Sequence, residues 1–175
     1  MVVAKSDRAH AGLSSQFGDR TLSRVYQALV WGLPSPAAGE ISGAIGRNPA
    51  DRKTMAVVAS GGKPALTRYR LLQGYGAAVG LVECRLATGR THQIRVHLAA
   101  IGHGVVGDPL YGHPPPPVRL KALPPELRSA LLSFPRQALH AKTIRFLHPA
   151  DGELRTFDSE LPADMTTLLD SLARI

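Results

Sequence analysis

Thr88-Gly89-Arg90-Thr91-His92-Gln93-Ile94-Arg95-Val96-His97-Leu98-Ala99 is followed shortly by Gly107-Asp108-Pro109-Leu110-Tyr111-Gly112. The first run opens on a Thr-Gly turn. Its apolar residues fall at Ile94, Val96, Leu98 and Ile101, and Gly102 stops it, which predicts a helix over 90–101. The second run carries Gly107, Pro109 and Gly112 and predicts a turn, in which Asp108 is expected to cap local backbone.

Strand-like segments surround this helix. Downstream of it, Gln137 to Leu147 and Glu153 to Asp158 predict a strand pair turning at Pro149 to Gly152. Upstream, residues 64–73 and 78–87 predict an antiparallel pair around Gly74-Tyr75-Gly76, and Arg24 to Trp31 alternates as a strand should. Glu40 to Ile45 and Met55 to Val58 predict two more short strands, and Leu33 to Gly39 a loop. Met1 to Ala4 reads as the end of a strand. Ser6 and Asp7 are expected to cap a helix with the stripe Ala9, Leu13 and Phe17, ending at Gly18 and Asp19. Pro114 to Pro117 predicts a stiff surface loop and residues 124–132 a short helix. Pro162 to Ile175 predicts an amphipathic helix with Met165, Leu168, Leu169 and Leu172 on one face. Many short strands and few helices indicate an α+β fold, a mixed but mainly antiparallel sheet with flanking helices. No repeat or boundary divides residues 1–175, so one domain is expected.

Composition bounds the function. The chain has 175 residues, 44% of them hydrophobic, which suits a packed core. No apolar run approaches the ~20 residues of a bilayer span, and no signal-peptide pattern opens the chain. A single cysteine, Cys84, excludes an internal disulfide and suits a reducing cytoplasm. The formal charge of +8 comes mainly from scattered arginines, which favours a polyanion partner met by a folded basic face.

Arg90, His92 and Arg95 are expected near a helix N-terminus, where free N–H groups suit an anion; taken alone, Arg90 and Arg95 read first as solvated surface arginines. His92, His97 and His103 do not share a helical face, and no metal site is expected. No phosphate loop, dinucleotide fingerprint or nucleophile elbow occurs. Cys84 reads as a buried thiol and Tyr26 as core packing.

Several blocks together resemble the RluA-type pseudouridine synthases. They are Val2-Val3-Ala4-Lys5, Tyr26-Gln27-Ala28-Leu29-Val30-Trp31-Gly32, Ile45-Gly46-Arg47, Thr67-Arg68-Tyr69, the 88–112 run, Pro135-Arg136-Gln137-Ala138-Leu139-His140-Ala141 and His148-Pro149. The resemblance implies isomerisation of uridine in ribosomal or transfer RNA, without cofactor or metal; a monomer is the default expectation. It implies that an aspartate acts at the ribose C1′ of a flipped nucleotide. Arg95 would pair with that aspartate and hold it ionised, and Tyr26 would stack on the uracil. Leu110 would wall the pocket, and Arg47, Arg90, Arg136 and His92 would contact substrate. In the family the aspartate lies in a segment resembling H-R-L-D-x-x-T-S-G-L, directly before the position of Val2. None of the eight aspartates here lies in such a segment. These residues are therefore expected to be a fragment of such an enzyme, inactive by itself and with an unpaired sheet edge. The alternative is a non-catalytic RNA-binding protein derived from the same fold.

Overall fold

Seven strands join into one sheet in the order β3-β2-β4-β5-β1-β6-β7. The structure is a computed structural model that describes residues 2–19 and 21–175. The strands are β1 (Ser23–Trp31), β2 (Ala38–Arg47), β3 (Met55–Val57), β4 (Lys63–Tyr75), β5 (Val79–Leu86), β6 (Leu139–Leu147) and β7 (Leu154–Asp158). The helices are α1 (Asp7–Asp19), α2 (Gln93–Ala100), α3 (Pro117–Leu120), α4 (Pro125–Leu132) and α5 (Ala163–Leu172). The fold is α+β as expected. The mixed sheet is a correction: every strand pairing is antiparallel, because each neighbour enters the ladder running against the last.

Strand β1 lies at the centre, between β5 and β6. Its last four residues, Ala28 to Trp31, are all buried, whereas Arg24 and Tyr26 are only partly covered. Ala28, Leu29, Val30, Val79, Val82 and Cys84 form the heart of the core, with Ile94 and Leu98 of α2 and Met165, Leu168, Leu169 and Leu172 of α5. The α5 stripe is the one its periodicity predicts. Strand β1 keeps its two-residue alternation, so Arg24, Tyr26 and Ala28 share a face. Opposite Val25 and Tyr26, β6 slips by one residue, a bulge that leaves Lys142 unmatched. Such bulges re-aim side chains locally.

Several boundaries differ from the sequence reading. Val2 to Ala4 are not a strand, since no neighbouring strand pairs with them among the described residues; Met1 lies outside those residues. Helix α2 starts at Gln93 rather than at residue 90. His92, just before it, takes a left-handed φ of 56°, which no helix continues through. Pro117 does not extend the proline loop but opens α3, where its missing N–H costs nothing. Ser6 caps α1 by accepting the Ala9 N–H at 3.3 Å. No described helix is long and apolar enough to cross a membrane.

Cys84 is fully buried between β1 and β4, and burial pushes its thiol up to about 12. A thiol-reactive disulfide reagent at pH 8 is expected to leave native protein unlabelled and to label one thiol per chain after denaturation. Rapid labelling of native protein would contradict this packing.

Candidate active site

Tyr26, Arg24, Arg90, His92, Gln93, Arg95, Gln137 and Leu139 line one cleft of about 360 Å³. Its walls come from β1, from the Thr88-Gly89-Arg90 turn with the start of α2, and from the entry to β6. Tyr26 packs its ring against the core while remaining half-buried, so both the core-packing reading and a cleft-facing edge hold. A larger apolar groove of about 560 Å³ adjoins the cleft and shares Arg24 and Tyr26 with it, adding Phe17, Ile144, Phe146 and Phe157.

Arg95 is buried, which excludes the solvated reading. Its partner within the chain is Asp108. Nε donates to Oδ2 and Nη2 to Oδ1, both at 2.6 Å, a bidentate fork. Asp108 also caps its turn by accepting the Leu110 and Tyr111 N–H groups at 3.0 and 3.2 Å. Burial pushes the Asp108 carboxyl up, but the Arg95 bonds and the two backbone N–H groups together outweigh it and hold the group below its ordinary 3.8. The Arg95 guanidinium lies 4.8 Å from the Tyr111 ring centroid. Nη1 of Arg95 is left without a hydrogen-bond partner among the described residues. The turn itself needs Gly107: at φ 71°, a Cβ there would lie 2.1 Å from the Arg136 carbonyl oxygen.

His92 is tied to the same cluster. The Tyr111 hydroxyl accepts the Met55 N–H at 2.9 Å and stands 3.0 Å from His92 Nδ1. Which of the two donates in that bond follows the His92 tautomer. Burial first, then the Arg95 charge, lower the His92 pKa, so the ring is neutral at pH 7.

Sequence reasoning missed Gln93. This buried side chain donates from Nε2 to the Leu66 carbonyl and Thr67 Oγ1, each at 3.0 Å. Its Oε1 accepts from Thr88 Oγ1 at 2.7 Å and from the Arg90 N–H at 3.0 Å. His97, also buried, continues the chain from Thr67 Oγ1 at 2.9 Å. The network pins the turn carrying Arg90 to β4. A glutamine inside an apolar helix face was the available signal.

Three expected contacts fall elsewhere. Leu110 is 44% exposed and lines a separate cleft with Met55, Val96 and His113. Arg47, exposed at the end of β2, meets the Arg52 carbonyl. Arg136 is committed to Asp164 of α5 by bonds of 2.7 and 2.8 Å, so it braces that helix instead of lining the cleft. Arg90 does line the cleft, its Nε held by the Pro64 carbonyl at 3.2 Å.

Residues 1–100 match the family model described as RNA pseudouridylate synthase. The chain belongs to this family. The Zymomonas mobilis protein named "Ribosomal large subunit pseudouridine synthase D" is 46% identical over 173 residues, covering 98% of this chain and 52% of its own length. A Nitrosomonas europaea protein of the same name is 43% identical over 175 residues, covering 100% of this chain and 48% of its own. The chain thus spans about half the length of the curated relatives it matches. Among solved structures, human RNA pseudouridylate synthase domain containing 1 aligns with a TM-score of 0.69 at 30% identity, covering 99% of this chain and 74% of that one. Human RNA pseudouridylate synthase domain containing 4, at 24% identity and a TM-score of 0.76, shares the fold.

Removing the Asp108 charge tests the brace. Asp108→Asn keeps an oxygen for the turn but leaves Arg95 buried without its counter-ion, an expected loss of about 3–5 kcal/mol at pH 7. Because the folded carboxyl sits below 3.8, the wild-type advantage is present above that value and disappears as pH falls through the folded pKa. Chemical denaturation at pH 7 and pH 2 measures it. An equal gap at both would remove the ion pair as its cause.

Proposed function

We propose that the protein acts on RNA as a pseudouridine synthase, isomerising uridine to pseudouridine. The observation that carries this is the meeting of the half-buried Tyr26 with the Asp108-braced Arg95 in one cationic cleft. In this reading residues 1–175 work as one domain, part of a synthase catalytic domain. The C1′–N1 bond of the target uridine breaks, the uracil turns, and C5 bonds to C1′. The proton lost from C5 balances the one gained at N1, so nothing is consumed and no cofactor is needed.

Each residue then has a task. Tyr26 offers a face against which the flipped uracil stacks, offsetting the few kcal/mol of unstacking. Arg95 has committed two donors to Asp108; its free Nη1 can meet the nucleophilic carboxylate and favour its ionised form. His92, a neutral imidazole at pH 7, offers a hydrogen-bonding group at the cleft wall, and Arg90 meets phosphate. The names of the relatives favour large-subunit ribosomal RNA as substrate, with transfer RNA the other outcome, and the single cysteine favours the cytoplasm as its place.

A second reading rests on its own observation. No carboxylate lines the cleft among the described residues, and Asp108 is saturated by Arg95 and two backbone N–H groups. Such a cleft binds RNA without converting it.

The test is mass-spectrometric detection of pseudouridine in ribosomal and transfer RNA, using protein purified from its host and the 175-residue polypeptide. The host protein is expected to form pseudouridine, and Arg95→Ala to slow it by about 100-fold, the equivalent of roughly 3 kcal/mol. The 175-residue polypeptide is expected to bind RNA and form none. No product from either preparation favours the binding module. Product from the short polypeptide would require one of its own aspartates as nucleophile.

A further inference from the structure

Arg24 stands where three cavities meet. It lines the cleft with Tyr26 and Arg95, the apolar groove beside it, and a small pocket of about 220 Å³ between the end of α1 and the Thr88-Gly89-Arg90 turn. The side chain leaves β1 on the face that also carries Tyr26, two residues on. Phe17 of α1 flanks it, its ring centroid 5.4 Å from the guanidinium carbon. Gly89 lies across from it so closely that a Cβ there would come within 2.8 Å of Arg24 Nη2.

This placed cation has no counter-ion among the described residues. Among the described residues, no carboxylate forms an ion pair with Arg24 and no acceptor takes a hydrogen bond from it. Its Nε is buried and unpartnered. Arg90 faces the same small pocket, its Nε turned to the Pro64 carbonyl, and it has no carboxylate partner either. Two guanidinium groups beside one enclosed space, with no acidic residue lining it, repel each other until an anion enters. The planar fork of arginine fits phosphate oxygens.

We propose that Arg24, together with Arg90, forms a phosphate-binding site for the RNA backbone, adjoining the Tyr26 cleft. This rests on the RNA-binding part of the function proposed above. Phe17 flanks the guanidinium, and the missing side chain of Gly89 leaves it the room it occupies. A nucleotide whose base lies against Tyr26 has a phosphate within its own length of this pocket. The site therefore fixes the strand beside the target without reading its sequence.

The test uses the 175-residue protein and a labelled single-stranded oligouridylate, with affinity measured by fluorescence anisotropy between about 50 and 200 mM salt. Arg24→Gln is expected to weaken binding about tenfold at the lowest salt and to reduce the slope of log affinity against log salt by about 0.7, one phosphate contact. Arg24→Lys is expected to keep the slope. Gly89→Ala changes no charge but displaces the Arg24 guanidinium, and is expected to reduce the slope as Arg24→Gln does; it carries the test alone if Arg24→Gln does not fold. Wild-type binding with an unchanged slope in Arg24→Gln, or in Gly89→Ala when that variant stands alone, overturns the site and leaves the RNA reading intact. No binding by wild type overturns both.

Discussion

The buried ion pair between Arg95 and Asp108 is the constraint on which the site depends. It joins α2, whose first turn lines the cleft, to the turn at 107–112. A buried pair of this kind gains little net stability over an apolar contact, since desolvation consumes most of the Coulomb energy. Its effect is positional. With both oxygens of Asp108 occupied, the Arg95 side chain has one orientation, and Tyr111 packs under it. The Tyr111 hydroxyl then reaches the Met55 N–H and His92, so the order imposed by one pair extends to β3 and to the cleft wall.

A second set of bonds acts on the other wall. Gln93 satisfies donors and acceptors of both the Thr88-Gly89-Arg90 turn and β4. Each of its polar atoms is used, which is the condition under which a buried amide stabilises instead of destabilising. The cleft is thus framed by side chains whose geometry is set before any ligand arrives, the arrangement that lowers the entropic cost of binding.

Much of this fold was legible in the chain. The α5 stripe, the β4–β5 hairpin and the β6–β7 pair follow from apolar periodicity and turn residues, because those signals are local. The helix start at Gln93 was not legible. It depends on the left-handed backbone of His92 and on the Gln93 bond to the Arg90 N–H, which are tertiary in origin. Val2 to Ala4 have strand-like residues but no paired neighbour, and composition cannot report a missing partner. Of the site, Tyr26, Arg90, His92 and Arg95 do line one cleft. Arg136 does not line that cleft, because its bonds go to Asp164 on α5, a pairing that no local pattern announces. Asp108 was read as a turn cap, which it is; its second task needed a residue on another element. Arg24 gave no signal at all, since an arginine at the start of a strand looks like any solvated one.

The sheet order also governs when the cleft can exist. Tyr26 of β1 pairs with Ala141 of β6, more than a hundred residues later. Leu139 and Gln137, which complete the cleft, arrive with that strand. Until then β1 has one neighbour and Tyr26 one wall. Closing so large a loop is slow relative to local helix and hairpin formation. A chain emerging from the ribosome therefore carries Tyr26 without a closed pocket until residues 137–147 have been made. The cleft gains its last wall only when β6 docks against β1.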